Sequence, residues 1–311
     1  MLDNRRGFTY NRPLFFEQCI QLMESEIPLW KQLENGQLSE PARKYLHKAA
    51  EEIQAGVSSQ RFSALFSMAS RYARRTPLSN PKTINGVSLT LWNQLELLRV
   101  ALLLARQDLA ADHFSSDFEA LFRFADEGES CALYRAIPLL PDPARFVWRA
   151  GEGCRSNMLP IFNAVALDSP FPAKYFDDTA WNQLVMKAVF VETQIDRIQG
   201  LDNRLSPELT RMALDFAAER KSAGRTLISG FWLIPGDHQK EALAEMIKGR
   251  WADSSAEEQA CMVTALGRAH SLDVAQELAG DNPGHQVELA IKLAREGRTT
   301  QSDLRSYLAN E

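Results

Sequence analysis

The chain has 311 residues, a formal net charge of −5, 45% hydrophobic and 24% charged side chains. That composition is globular and excludes bulk disorder. The acidic balance argues against a general nucleic-acid binder, which needs excess Lys and Arg to displace counterions.

Helical periodicity runs through almost the whole chain. Leu14 to Leu33 carries Phe15, Cys19, Leu22, Met23 and Trp30 near the spacing of one helix face, with Pro28 as a break. Ser39-Glu40-Pro41 predicts a helix start, followed by Tyr45, Leu46, Ala49, Ala50 and Ile53 until Gly56. Phe62, Leu65, Phe66, Ala69 and Tyr72 mark a third helix. Thr76 to Ser88 is a Pro/Asn/Gly-rich loop. Leu91 to Ala105 predicts a strongly apolar helix, and Ser116 with Glu119 offers a capping box for the next.

Between Leu133 and Trp232, Asp142-Pro143 and Ser206-Pro207 each pair a capping side chain with a proline suited to the first turn. Asp177-Asp178 supplies negative charge at the start of the Trp181 helix. Gly224 falls where a helix would end on a left-handed residue. After Pro235-Gly236 come short Ala-rich amphipathic segments, near 238–248, 255–269, 272–279, 284–295 and 301–308. No alternating β-branched runs compete. The expected class is all-α, an α-solenoid-like (HEAT-like) stack of antiparallel helices. Its expected regions are 1–132, 133–235 and a C-terminal set of helical pairs over 236–311. LWNQL at Leu91–Leu95 echoes AWNQL at Ala180–Leu184. Duplication and chance both account for so short a repeat.

Cys19, Cys131, Cys154 and Cys261 are widely spaced and form no C-x-x-C pair. They predict a reducing compartment, with no disulfide frame and no thiolate metal site. The start, MLDNRRGFTYNRP, lacks the apolar run of a signal peptide, and no window approaches a membrane span. A cytoplasmic protein without membrane insertion is the expectation.

Candidate chemistry concentrates in the centre. In GEGCRSN, Gly151 to Asn157, two glycines precede Arg155, Ser156 and Asn157. At a helix junction this presents backbone N–H groups and a guanidinium to an anion, or simply admits a neighbouring helix. In the Trp181 helix, Gln183 and Lys187 share a face at i,i+4. Arg135, Arg145, Arg149, Arg204, Arg220 and Arg225 either build an anion pocket or brace the fold through ion pairs. HExxH, a complete DDxxD and G-x-S-x-G are all missing, so no metal, cofactor or nucleophilic site is expected.

The segments LYRAIPLLPDPARFVWRA, EGCRSN, FNAVALDSPFPAKYFDD, WNQLVMKAVF and GLDNRLSPELTRMALDFAAERKSAGR resemble the EboA-domain family. These are the metabolite-traffic proteins of bacterial ebo gene clusters. The resemblance implies a part in moving a secondary metabolite or its precursor from the cytoplasm towards the periplasm. It brings no catalytic residues with it. The expected partners are a small-molecule metabolite, other proteins of the cluster, or both, with no nucleic acid.

The physical reading adds one expectation: Arg135, Arg155, Asn157, Trp181, Asn182, Lys187 and Arg225 converge on one ligand-binding groove of a non-enzymatic adaptor or binding protein. Two alternatives stand beside it. One is an enzyme using Glu152 or Glu219 as acid/base beside Arg155 or Lys187. The other is a purely structural stack that docks a partner protein.

Overall fold

In the computed structural model, residues 28–34 and 38–308 are described, with side chains described as far as Leu304. The chain divides into two compact units, Met1–Ile84 with Leu89–Ala136, and Asn85–Ser88 with Ile137–Glu311. The fold is mostly helical. Among the described residues the only strands are β1, Thr83–Ile84, and β2, Val87–Ser88, inside the expected loop. Asn85 and Gly86 turn between them at positive φ, the conformation an Asn-Gly hairpin turn favours. The helix expected from Leu14, with Phe15, Cys19, Leu22 and Met23, lies outside the described residues up to Pro28.

The first unit holds α1 (Leu29–Glu34), α2 (Glu40–Gln54), α3 (Ser59–Met68), α4 (Gln94–Leu104), α5 (Phe114–Leu121) and α6 (Glu127–Ala136). Helix α4 is buried from Leu95 to Leu104 on every face, so α1, α2 and α6 can all pack around it. It opens on a capping box in which Asn93 and Glu96 bond each other's backbone N–H. The box expected at Ser116 is not formed. Ser116 lies inside α5, and its hydroxyl donates to the His113 carbonyl.

Two charged side chains face inward from α4, and each is paired. Arg99 donates to Glu129 (3.3 Å), and Glu96 accepts from Arg135 (3.2 Å). Here bracing is the role of the charges, as burial demands.

At the rim of this unit Arg106 grips Asp108 with both ends of its guanidinium (2.8 and 2.6 Å) while stacking over Phe62 and Phe114. The bonds from Arg106 pull the Asp108 carboxyl down to about 2. A depressed folded-state value means stability that is present above the unfolded value near 3.9 and lost as pH falls towards 2. Asp108→Asn is therefore expected to cost about 1–2 kcal/mol at pH 7, discounted for partial exposure. The gap between the two proteins in urea unfolding should shrink to about half by pH 3. A gap that ignores pH would remove the ion pair from the account.

The second unit runs through residues 235 and 236 without a break. It contains α7 (Val147–Arg155), α8 (Leu159–Ala166), α9 (Phe171–Tyr175), α10 (Asp178–Phe190), α11 (Pro207–Ser222), α12 (Lys240–Lys248), α13 (Ala256–Arg268), α14 (Leu272–Ala279), α15 (His285–Arg295) and α16 (Gln301–Leu308). Asp177 caps α10 through the Ala180 N–H (2.7 Å), and Ser206 caps α11 through Leu209 N–H (3.1 Å). Gly224 is left-handed after α11, as its place predicts. Asp142 does not cap. It is itself left-handed, and Pro143–Phe146 is a 3₁₀ turn.

Three polar links fasten the C-terminal helices to the centre of the second unit. Trp232 donates its indole N–H to Glu258 (3.0 Å). Arg268, buried at the end of α13, donates to the Thr299 carbonyl (2.6 Å), the Leu233 carbonyl and Asp202. Gln301 gives its amide to the carbonyls of Ile195 (3.2 Å), Asp196 (3.3 Å) and Ile198 (2.9 Å), while Asp202 accepts from its backbone N–H (2.9 Å).

Candidate functional site

Helix α7 ends at Arg155 because Ser156 turns to an extended conformation and its hydroxyl accepts from the Met158 N–H (3.1 Å). The last carbonyls of a helix lack intrahelical partners. Here Lys187, on α10, supplies them. Its Nζ donates to the carbonyls of Cys154 (2.6 Å) and Ser156 (2.7 Å) and sits over the Phe162 ring at 5.2 Å. An ammonium at a helix C-terminus also matches the dipole. The α7–α8 turn is thereby held against α10.

Beside this link lies a cavity of about 210 Å³, lined by Gly151, Cys154, Arg155, Phe176, Ala180, Gln183, Leu184 and Lys187. Gly151 leaves the wall open, since a side chain there would meet only the Arg155 guanidinium. Arg155 is exposed and joins Glu152 through one Nη, leaving other donors of its fork for a ligand. Lys187 spends two donors on carbonyls and retains a third. Burial pushes the Cys154 thiol up to about 12, so it stays protonated and weakly nucleophilic. The cavity thus combines positive donors with apolar lining, and no carboxylate or histidine is among the residues lining it.

The sequence-predicted site residues fall in four places. Arg155 and Lys187 meet at the cavity, and Asn157 is exposed in the turn just beyond Arg155. Trp181 and Asn182 lie on the same helix as Lys187 but face the interior, 1% and 6% exposed, and do not line the cavity. Trp181 is covered by Arg204 at 4.9 Å. Its indole N–H and the Asn182 amide oxygen are buried without a hydrogen-bond partner among the described residues. Arg135 belongs to the first unit, where Glu96 and the Leu91 carbonyl hold it. Arg225 is exposed beyond the end of α11 and does not line the cavity.

The glycines of GEGCRSN sit inside α7 instead of at a junction, so their N–H groups lie within helix and form no anion nest. Sequence reasoning missed Cys154, Phe176 and Leu184 as lining residues because each reads as an ordinary core position. Gln183 was readable, since it shares a face with Lys187.

In the first unit Asp108, His113 and Asp117 bring ligand atoms within 4.8 Å of one another. The Arg106 guanidinium lies against both carboxylates, 2.6 Å from Asp108 and 3.4 Å from Asp117, and so offsets part of their negative charge.

A family model described as "Metabolite traffic protein EboA" matches residues 28–235. No curated protein and no solved structure matches the chain.

Proposed function

The chain belongs to the EboA family, metabolite traffic proteins, and on that premise we propose that it is a non-enzymatic binding protein or adaptor that carries a small acidic metabolite. The cavity between α7 and α10 receives the ligand, with Arg155 and Lys187 facing its acidic group. Asn157 lies in the exposed turn two residues after Arg155, and Trp181 and Asn182 act from behind by fixing α10.

The observation that carries this reading is the pairing of two cations with spare donors against the apolar surface of Phe176 and Leu184. A few placed polar groups in a mostly apolar recess are what small-molecule sites need. A binding role is favoured over catalysis because Glu152 is tied to Arg155 and neither Glu152 nor Glu219 lines the recess. An acid or base must stand within hydrogen-bond reach of the reacting atom.

The proposed setting is the cytoplasm, ahead of export to the periplasm. No helix among the described residues is long and apolar enough to cross a membrane. Handing on the cargo therefore calls for other proteins of the cluster. The C-terminal helices suit that task as a HEAT-like stack, a reading supported by the successive packing of α12 on α13, α13 on α14 and α14 on α15.

The test is native mass spectrometry of the protein purified from a host that expresses the whole gene cluster. Wild type should retain a small molecule. Arg155→Ala, an exposed change with a stability effect within about 0.5 kcal/mol, should lose it. Equal retention by the variant at an unchanged melting temperature would defeat the proposal.

A further inference from the structure

The α7–α10 cavity, at about 210 Å³, is smaller than the recesses that enclose a whole drug-sized molecule. Among the described residues six large apolar side chains are exposed, and four of them belong to the segments that frame this cavity: Trp148 (63%), Met158 (44%), Leu159 (43%) and Phe190 (70%). Single exposed apolar residues need no explanation, but a group framing one recess does.

Helical spacing accounts for the grouping. Trp148, Gly151 and Arg155 follow one another at i, i+3 and i+7 on α7. Gln183, Lys187 and Phe190 do the same at i, i+4 and i+7 on α10. Each stripe thus runs from a cavity-lining cation to an exposed aromatic. Met158 and Leu159 follow Ser156 after one intervening residue, Asn157, and Lys187 holds the Ser156 carbonyl at 2.7 Å. Arg149 lies over the Trp148 ring at 4.8 Å, which keeps that face of the indole in a cationic setting.

We propose that the ligand is an amphiphile with a carboxylate head and a flat apolar body too large for the cavity. The head enters between Arg155 and Lys187, and the body lies outside across Trp148 and Phe190. This rests on the metabolite-binding reading of the same cavity and adds the chemical class of the cargo. Charge complementarity selects the head, because Arg155 and Lys187 line the recess and no acidic side chain does, Glu152 pairing with Arg155 without joining the lining. The stripes select the body, because the exposed Trp148 stands two helical turns from Arg155 and the exposed Phe190 one turn from Lys187.

The test is calorimetric titration of the full chain with three probes: benzoate, naphthalene-2-carboxylate and naphthalene-2-methanol. The second ring should tighten carboxylate binding about tenfold, as burial of one further ring edge predicts. The uncharged alcohol should bind at least about tenfold more weakly than the acid of the same ring. In the double variant Trp148→Ser with Phe190→Ser, both surface changes, the ratio of naphthalene-2-carboxylate to benzoate affinity should fall to near one.

An unchanged ratio in the double variant would overturn the proposal and leave the cavity reading standing. So would an alcohol that binds as tightly as the acid. Failure of both carboxylates to bind wild type would remove the cavity reading as well. Sedimentation of the double variant adds one more outcome: dissociation of an oligomer with the ratio intact would make the aromatics an interface between copies, against the proposal.

Discussion

Replacing Arg268 by Met should destabilise the second unit by about 3–5 kcal/mol, the cost of stripping one partner from a buried ion pair. The guanidinium is 8% exposed and answers three acceptors at once: Asp202, Leu233 O and Thr299 O. Burial lowers its pKa, yet an arginine starts high enough to stay charged throughout the working range. The substitution conserves much of the volume but leaves the Asp202 carboxylate, 26% exposed, with the Gln301 N–H as its remaining donor among the described residues. Two carbonyls also lose their donor. Urea unfolding at pH 7 gives the measurement. Adding Asp202→Asn to Arg268→Met should recover part of the loss, since the stranded charge is then gone. A single-variant cost under about 1 kcal/mol would mean that the network contributes little.

Trp181→Ala carries the second large effect, about 3–5 kcal/mol from the cavity it leaves in a site 1% exposed. The indole N–H has no hydrogen-bond partner among the described residues, so it contributes nothing that phenylalanine would forfeit. Trp181→Phe should therefore cost only about 1–2 kcal/mol, the price of lost volume alone. Its ring would still meet Arg204, which covers the indole at 4.9 Å and donates to the Phe176 carbonyl at 2.8 Å. Binding in the cavity should survive Trp181→Phe, because residue 181 is not part of the lining. The measurements are thermal unfolding of both variants and ligand retention by the phenylalanine form. A phenylalanine variant that is stable and yet empty would give Trp181 a direct part in recognition.

Much of the helical framework was legible because local chemistry decides it. Pro41, Asp177, Ser206 and Gly224 do at helix ends what their residue types predict, while Ser39 holds the N-cap position of α2 without a side-chain bond. The failures share a cause. Asp142 and Ser116 match capping patterns in letters, but Asp142 takes a left-handed backbone and Ser116 falls one turn inside its helix. Asn93 and Glu96 form the box instead, just where the buried run of α4 begins.

The candidate site was half legible for a similar reason. Periodicity puts Gln183 and Lys187 on one face, but it cannot say that the Lys187 ammonium reaches the carbonyls at the end of α7. Arg135 lies only twenty residues before Arg155 in the sequence, yet the chain passes from one compact unit to the other at Ala136. The aromatic rim was visible in principle. Trp148 and Arg155 are seven residues apart, two helical turns along one stripe, a spacing that becomes informative only once Trp148 is known to be exposed.

The Gln301 carboxamide has a consequence for biosynthesis. It donates to three carbonyls that lie 103 to 106 positions earlier in the chain. Those carbonyls leave the ribosome long before the glutamine is made, and at several residues per second the wait is on the order of ten seconds. Through that interval the turn at Ile195 must stay hydrated, and the unit can close only when translation has passed codon 301.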